Sequence, residues 1–451
     1  MRVAKESSGQ VLVVLAMSML VLILFVGLAV DAGMAYITKA KLSKAVDAAC
    51  LTGMKALPQG QATATTLATH IFNANFGNNP PTPTITFPTD SYGDQQVSVT
   101  ATAQVPTFFA QHFFQFWNVA DTAVATRGKL VMALILDRSG SMASNGSTQG
   151  GPSLKVAVPI FVSDWNNASD ELAMISFASN ATVDFHMATN FQTSIDNAVS
   201  NLTFTGGTFG TGGTYVASNG PPLTLANQEI TSVPIQSGQN VTRVAIYFTD
   251  GLMNTIQDTF TCWTSKSAKV TPLLNYGGYD PNTTEVDVFD PVAGTDWCPN
   301  QGYGSCISGG GSEIVYSSAG VACQNPWGTY VTQFTSQQYG LQTINRANVT
   351  ADAQYRAIQT ANAMRALTPG TFVYVIGLGH QVSTSTSTEA FLSTLANDPS
   401  GPSKYTGAVY NSSLPDGLFL VVPDCPSTAC TSELTTAFQT IAAKILLRLT
   451  Q

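Results

Sequence analysis

Charge is scarce in this sequence: Asp, Glu, Lys and Arg make up 10% of its 451 residues, against roughly 25% in an average soluble domain. With 19 Lys and Arg against 27 Asp and Glu, the net charge is −8 and the pI is near 4.9. The clustered basic footprint that a phosphate backbone demands is missing, which excludes nucleic acid as a partner. Histidine is scarcer still, with His70, His112, His186 and His380 scattered along the chain. The cysteines nowhere show the paired, two-residue gaps of a zinc site. No Gly-x-Ser-x-Gly elbow surrounds the serines singled out below and no histidine stands near them as a base, so a hydrolase is not expected, nor any other enzyme. Apolar residues, by contrast, reach 44%, enough to fill the cores of about two or three domains.

The seven cysteines fall unevenly. Cys50 lies near the N-terminus, whereas Cys262, Cys298, Cys306, Cys323, Cys425 and Cys430 lie in the C-terminal half. An even set without histidine partners reads as disulfides formed in an oxidising compartment, with reduced, inert thiols as the alternative. Cys425 and Cys430 flank a Pro-Ser-Thr-Ala loop short enough for local pairing; the other four allow three pairings. Upstream, Val11 to Val30 form an uncharged run of 20 residues, which as a helix spans about 30 Å, the thickness of a bilayer's hydrocarbon core. A cleaved secretory signal carries an apolar region of only about 7–15 residues, so a retained single-pass anchor is expected. Arg2 and Lys5 precede the run and Lys39, Lys41 and Lys44 follow it, so flanking charge does not orient it. The cysteines do, turning the C-terminal part outward.

Past the run, Leu42, Val46, Ala49, Gly53 and Leu57 recur at helical spacing, which predicts an amphipathic stem continuing to Pro58. Small residues on it, Ala45, Ala48, Ala49 and Gly53, permit close approach either of a neighbouring helix in a pilus-like bundle or of the protein's own sheet. Residues 83–128 alternate in strand fashion and predict a small β-rich stalk. Its aromatic cluster, Phe108, Phe109, Phe113, Phe114, Phe116 and Trp117, is expected to form the stalk's core or dock it to the stem, an exposed partner-binding patch being the alternative. The parts are a tail and membrane helix at 1–31, a stem and linker at 32–82, the stalk at 83–128 and a final domain at 129–451.

That final domain alternates strands and helices, which predicts a doubly wound α/β fold with a mainly parallel sheet. Strands are expected at Leu130 to Leu136, Glu171 to Phe177, Val241 to Thr249 and Thr371 to Gly377. Helices are expected at Leu154 to Trp165, after Pro221, at Ala351 to Leu367 and at Glu433 to Leu449. The first strand runs into Asp137-Arg138-Ser139-Gly140-Ser141. Asp-x-Ser-x-Ser alone is weak, arising by chance in about one chain in ten of this length. Its place at a strand's carboxyl end, where α/β sheets bind ligands, is what discriminates. The strand Val244 to Phe248 delivers a second carboxylate, Asp250, followed by Gly251. Between them lies Gly212-Gly213-Thr214.

The N-terminal features, Ser8-Gly9-Gln10, the apolar run, Val30-Asp31-Ala32-Gly33 and Val46-Asp47-Ala48-Ala49-Cys50-Leu51, resemble the TadE/TadG-like N-terminus of tight-adherence (Flp) pilus proteins. Small pseudopilins of that family carry glutamate five residues past a cleavage glycine. Here Val14 stands there, so the resemblance is to the large TadG-type member. From residue 130 onward, the Asp-x-Ser-x-Ser, the threonine and the Asp-Gly resemble the metal-ion-dependent adhesion site of von Willebrand factor type A domains, which implies a Rossmann-like fold. In that family Ser139, Ser141 and Thr214 would touch the metal and Asp137 and Asp250 would act largely through water. Thr208 and Thr211 sit in similar settings; Thr214 is chosen, with Thr208 in reserve. An all-oxygen donor set suits a hard divalent ion, Mg²⁺ first, with Ca²⁺ or Mn²⁺ also compatible.

Between Asp250 and Ala351 lies an insertion, about residues 252–350, where such a domain needs only a short connection. It carries four of the cysteines and many aromatics, including Trp263, Tyr276, Trp297 and Trp327, in a Gly/Ser/Asn-rich context that recognition loops favour; a small core of its own is the alternative. Asp280, Asp287, Asp290 and Asp296 fit no compact calcium loop. Two functions follow from the resemblances. One is a pilus-associated adhesion component of the bacterial envelope, binding a protein or surface ligand that supplies a carboxylate. The other is a membrane-held scaffold of pilus assembly in which the metal is structural. Either places the chain in the inner membrane, with its C-terminal part in the periplasm or outside, on the pilus in the first case.

Overall fold

The computed structural model describes residues 8–111, 113–143, 149–178, 181–204, 221–251, 253, 255–259, 262–265, 268–270, 273–278, 286–290, 295–296, 333–343, 346–401, 410–423, 425 and 429–449. The chain divides into two compact units, with the boundary between Gly128 and Lys129.

In the first unit, helix α1 (Ser8–Ala56) is continuous through the apolar run and the stem. Its first part is long and apolar enough to cross a membrane, with a mean hydropathy of 3.1, and Leu12 and Phe25 are about 70% exposed. The stem part is different in kind: Leu42, Val46, Ala49, Cys50 and Leu57 are buried, and Pro58 falls in the short 3₁₀ turn Leu57–Gln59 that follows α1. The small residues serve the protein's own packing. A Cβ on Gly53 would come 3.3 Å from Ala68 and 3.2 Å from Val97, so α1 is pressed against helix α2 (Gln61–Phe76) and a sheet of β1 (Thr84–Thr86), β2 (Gln96–Pro106) and β3 (Phe116–Thr126). Val97, Val99, Ala101 and Ala103 of β2 alternate inward onto the helices. The aromatic cluster lies at the turn between β2 and β3 and at the start of β3, and is largely exposed rather than core; the valine and alanine side chains of β2 fill the space beneath α1.

The second unit is a six-stranded sheet in the order β17-β16-β7-β4-β5-β6. Its strands are β4 (Lys129–Asp137), β5 (Glu171–Phe177), β6 (Ala181–Ala188), β7 (Val241–Thr249), β16 (Thr371–Leu378) and β17 (Leu418–Val422). All pairings are parallel except β5 with the edge strand β6. Helices α3 (Gly150–Val162), α4 (Gln192–Asn201), α5 (Pro222–Ser232), α6 (Arg346–Arg365), the short α7 (His380–Ser383), α8 (Thr386–Ala396) and α9 (Cys430–Leu449) connect them. Alternation along the strands sorts the core into two layers. Leu134, Leu136, Met174 and Phe248 pack against α3, α4 and α9; Ile135, Ile175, Tyr247 and Val375 pack against α5, α6 and α8. Helix α3 starts at Gly150, ahead of the expected Leu154, and both glycines sit tightly: a Cβ on Gly150 would overlap Leu378, and one on Gly151 would crowd Phe204 and lie 2.7 Å from the Met142 carbonyl.

The expected insertion begins immediately after β7. Its described strands, β8 (Thr255–Thr259), β9 (Cys262–Ser265), β10 (Ala268–Val270), β11 (Leu273–Gly278), β12 (Val286–Asp290), β13 (Thr295–Asp296), β14 (Gln333–Ser336) and β15 (Gly340–Thr343), pair antiparallel among themselves. The β14-β15 hairpin is tied to α6 by Asp352, whose carboxylate accepts from the Ser336 hydroxyl (2.8 Å), the Gln337 N–H (2.7 Å) and Arg356 Nε (2.6 Å). Cys298, Cys306, Cys323 and the Cys262 side chain lie outside the described residues, as do the side chains of Asp280, Asp287, Asp290 and Asp296. Cys425 and Cys430 form a disulfide.

Candidate functional site

The carboxyl rim of the sheet is built by two central strands. After Lys129, strand β4 is apolar and buried until it ends at Asp137, and β7 lies beside it in register, Leu136 opposite Phe248. Asp137 therefore meets Thr249, one residue before Asp250. The Thr249 hydroxyl donates to Asp137 Oδ2 at 2.8 Å and accepts from the Gly251 N–H at 3.2 Å. The other carboxylate oxygen of Asp137 accepts the Ser139 N–H at 2.8 Å, which turns the chain sharply after the strand. The turn continues as a 3₁₀ segment, Gly140–Met142, anchored by the buried Met142 side chain.

This turn brings the two serines together. Ser139 Oγ lies 3.0 Å from Ser141 Oγ and 3.5 Å from Asp250 Oδ1, although Asp250 is 111 residues away in sequence. Asp137 and Asp250 are each only 4% exposed. Burial, and then the neighbouring Asp250 carboxylate, push the Asp137 carboxyl well above the ordinary aspartate range. Bringing two acids together out of water is costly unless a cation offsets their repulsion, and two carboxylates with two hydroxyls form an oxygen set matched to a hard divalent ion. Among the described residues no group of three or more His, Cys, Asp or Glu could hold a metal.

Four of the five expected site residues, Asp137, Ser139, Ser141 and Asp250, thus converge at one rim. Thr214, with Thr208 and Thr211, lies outside the described residues. Thr249 was not singled out by sequence reasoning: its role follows from β4-β7 register, and the sequence signal was only its position beside Asp250.

No curated protein matches the sequence. The Flp pilus-assembly TadE/G-like family matches residues 9–56, and the von Willebrand factor type A domain matches residues 132–252. Among solved structures, the chain is similar to the PilB minor pilin from Streptococcus sanguinis, at 13% identity over 81% of this chain and 78% of that one, with a TM-score of 0.37. It is likewise similar to the vWF domain of the type V pili tip protein Mfa5 from Porphyromonas gingivalis, at 14% identity over 72% and 98%, with a TM-score of 0.38. The pilus adhesin SpaC from Lactobacillus rhamnosus GG gives 13% identity over 82% of this chain and 35% of that one, with a TM-score of 0.37. The two family matches fall on the two parts already described, the helix that begins the first unit and the strands that build the rim: the chain carries a segment similar to TadE/G-like pilus-assembly proteins and, after it, one similar to von Willebrand factor type A domains.

Proposed function

We propose that this chain is a pilus-associated binding component of the bacterial cell envelope, held in the inner membrane by the apolar part of α1, with its type A domain outside the cytoplasm. The domain would bind a protein or surface ligand through a divalent cation, Mg²⁺ first, held by Asp137, Ser139, Ser141, Asp250 and Thr214. Because the hydroxyl donors are neutral, the cation would keep enough positive charge to attract a carboxylate from the partner. Its role is adhesion without turnover, and the insertion after Asp250 would contribute partner choice.

The observation that carries this reading is the 3.5 Å approach of Ser139 Oγ to Asp250 Oδ1, which joins the ends of β4 and β7 into one oxygen-lined rim. Titrating MgCl₂ into the chelated full chain in detergent should give one saturable binding event, lost in Asp137→Asn and Asp250→Ala. Absence of any such event in the unsubstituted protein would remove the cation from the reading. Retention of the chain on sheared filaments, released by chelator, is the outcome expected of an adhesion component. If the chain stays with the membrane and chelator lowers only its melting temperature, the structural scaffold reading takes its place.

A further inference from the structure

The turn joining β2 to β3, described at residues 107–111 and 113–115, is clamped to the end of the apolar part of α1. Gly27 leaves room for Phe109, since a Cβ there would overlap the phenylalanine ring. Four residues further on, the Asp31 carboxylate, 1% exposed, accepts the N–H groups of Phe108 (2.9 Å), Phe109 (3.1 Å) and Ala110 (2.9 Å). Within the turn, the N–H groups of Phe113 and Phe114 both donate to the Ala110 carbonyl, at 2.8 and 3.0 Å, and Thr107 donates its N–H to Gln115 at 3.1 Å and its hydroxyl to Phe114 at 2.5 Å. The N–H groups of Thr107, Phe108, Phe109, Ala110, Phe113 and Phe114 are thus engaged, three of them by Asp31 of α1, while the rings are exposed. Phe113 is 83% exposed, Phe108 61%, Phe109 55%, Phe116 49% and Phe114 41%.

A hairpin end with these N–H groups engaged and five phenyl rings exposed suits a hydrocarbon boundary better than water. Its depth is set by α1. Gly27 lies three residues inside the end of the Val11 to Val30 run, about 4.5 Å along a helix axis, so a ring seated on it sits at the level of the acyl chains nearest the headgroups. The hairpin then follows α1 away from that level: Lys39, eight residues past Asp31, binds Asp121 at 2.9 Å and the Ala120 carbonyl at 2.5 Å. The membrane end of the hairpin is its aromatic turn.

We infer that this turn, with the adjoining first residue of β3, is a second membrane contact, in which Phe108, Phe109, Phe113, Phe114 and Phe116 enter the phospholipid leaflet beside the end of the apolar run and fix the depth and rotation of α1. The inference rests on the reading of that run as membrane-spanning. The tilt and rotation of a membrane helix are set by what packs on it and by anchors at the interface, not by its length; a turn clamped to Gly27 and Asp31 acts in that way.

The test uses the full chain in phospholipid vesicles with acyl chains brominated near the headgroup, compared with unbrominated vesicles, each variant's tryptophan emission being read against the parent. Phe113→Trp probes the turn. Phe25→Trp, at a 69% exposed position in the run, probes the helix. Tyr92→Trp, at the opposite end of the hairpin and roughly 33 Å away along an eleven-residue strand, is the water control. Bromine should cut the added emission of Phe25→Trp and Phe113→Trp at least by half and leave Tyr92→Trp unchanged. Quenching of Phe25→Trp without Phe113→Trp overturns the inference while the membrane helix stands; aqueous iodide then tells whether the turn lies in water or under a second copy of the chain. Quenching of neither overturns both.

Discussion

Asp137 is held out of water beside a second acid, and this shapes its response to pH. Because burial and Asp250 raise its pKa in the folded state, the folded, cation-free protein keeps a proton that the unfolded chain releases near pH 3.9. Between those two values the unfolded state binds fewer protons, so stability falls as pH rises. In chelator, the melting temperature of the parent should therefore decline from about pH 4 towards neutrality relative to Asp137→Asn, as scanning calorimetry of the pair would show; parallel curves would mean an ordinary carboxylate. At neutral pH a cation at a hundredfold excess over its Kd should add about 2.7 kcal/mol to the parent, and nothing to Asp137→Asn. The site was legible to this extent at the residue scale: a carboxylate and two hydroxyls at alternate positions after an apolar strand could be read directly. The Thr249 hydrogen bond that holds Asp137 could not, since it depends on which residue of β7 stands opposite.

At the scale of elements, two devices are open to measurement. Gly53 lets α1 touch both α2 and β2, with a Cβ contact of 3.2–3.3 Å waiting on each side. Gly53→Ala should be near neutral, because the gain of about 1 kcal/mol in helix propensity is set against slight crowding. Gly53→Leu should cost about 1–3 kcal/mol by overpacking, seen as a lowered denaturant midpoint for the first unit. The disulfide between Cys425 and Cys430, five positions apart at the start of α9, closes a short loop. Replacing both by alanine should cost about 2 kcal/mol by loop entropy, with loss of hydrogen-exchange protection concentrated at the start of α9. The long apolar strands β4, β5, β7 and β16 were readable because buried parallel strands are nearly continuous hydrophobic runs. Edge strand β6, with polar residues interleaved (Ala181–Ala188), and helix α8, rich in Ser and Thr and capped by Ser385, carried no such signal. Helix α2 was read as part of a stem and linker; its Ala64, Ala68 and Phe72 make a narrow buried stripe that becomes meaningful only against α1.

For the whole molecule, an apolar run joined without a break to a packed stem predicts retention. The full chain should stay in the membrane pellet after carbonate extraction, and its mature mass should include the residues before Gln10. A mature N-terminus at Gln10 would show processing at Gly9 instead. The two units differ in what secures them. The first relies on close approach of small residues on two helices and a three-stranded sheet, the second on two apolar layers around a six-stranded one.

The sequence by itself determined the apolar span, the alternation of strand and helix, and the carboxylates and hydroxyls that follow the apolar strands β4 and β7, because each is written in local spacing and side-chain chemistry. Tertiary structure alone decided that Asp250 meets Ser139, that the small face of the stem packs on its own α2 and β2, and that the aromatic turn is pinned to Gly27 and Asp31. Those depend on strand register and on which surfaces compete for the same neighbour, and pairings between residues distant in sequence are settled by the packing of the whole chain.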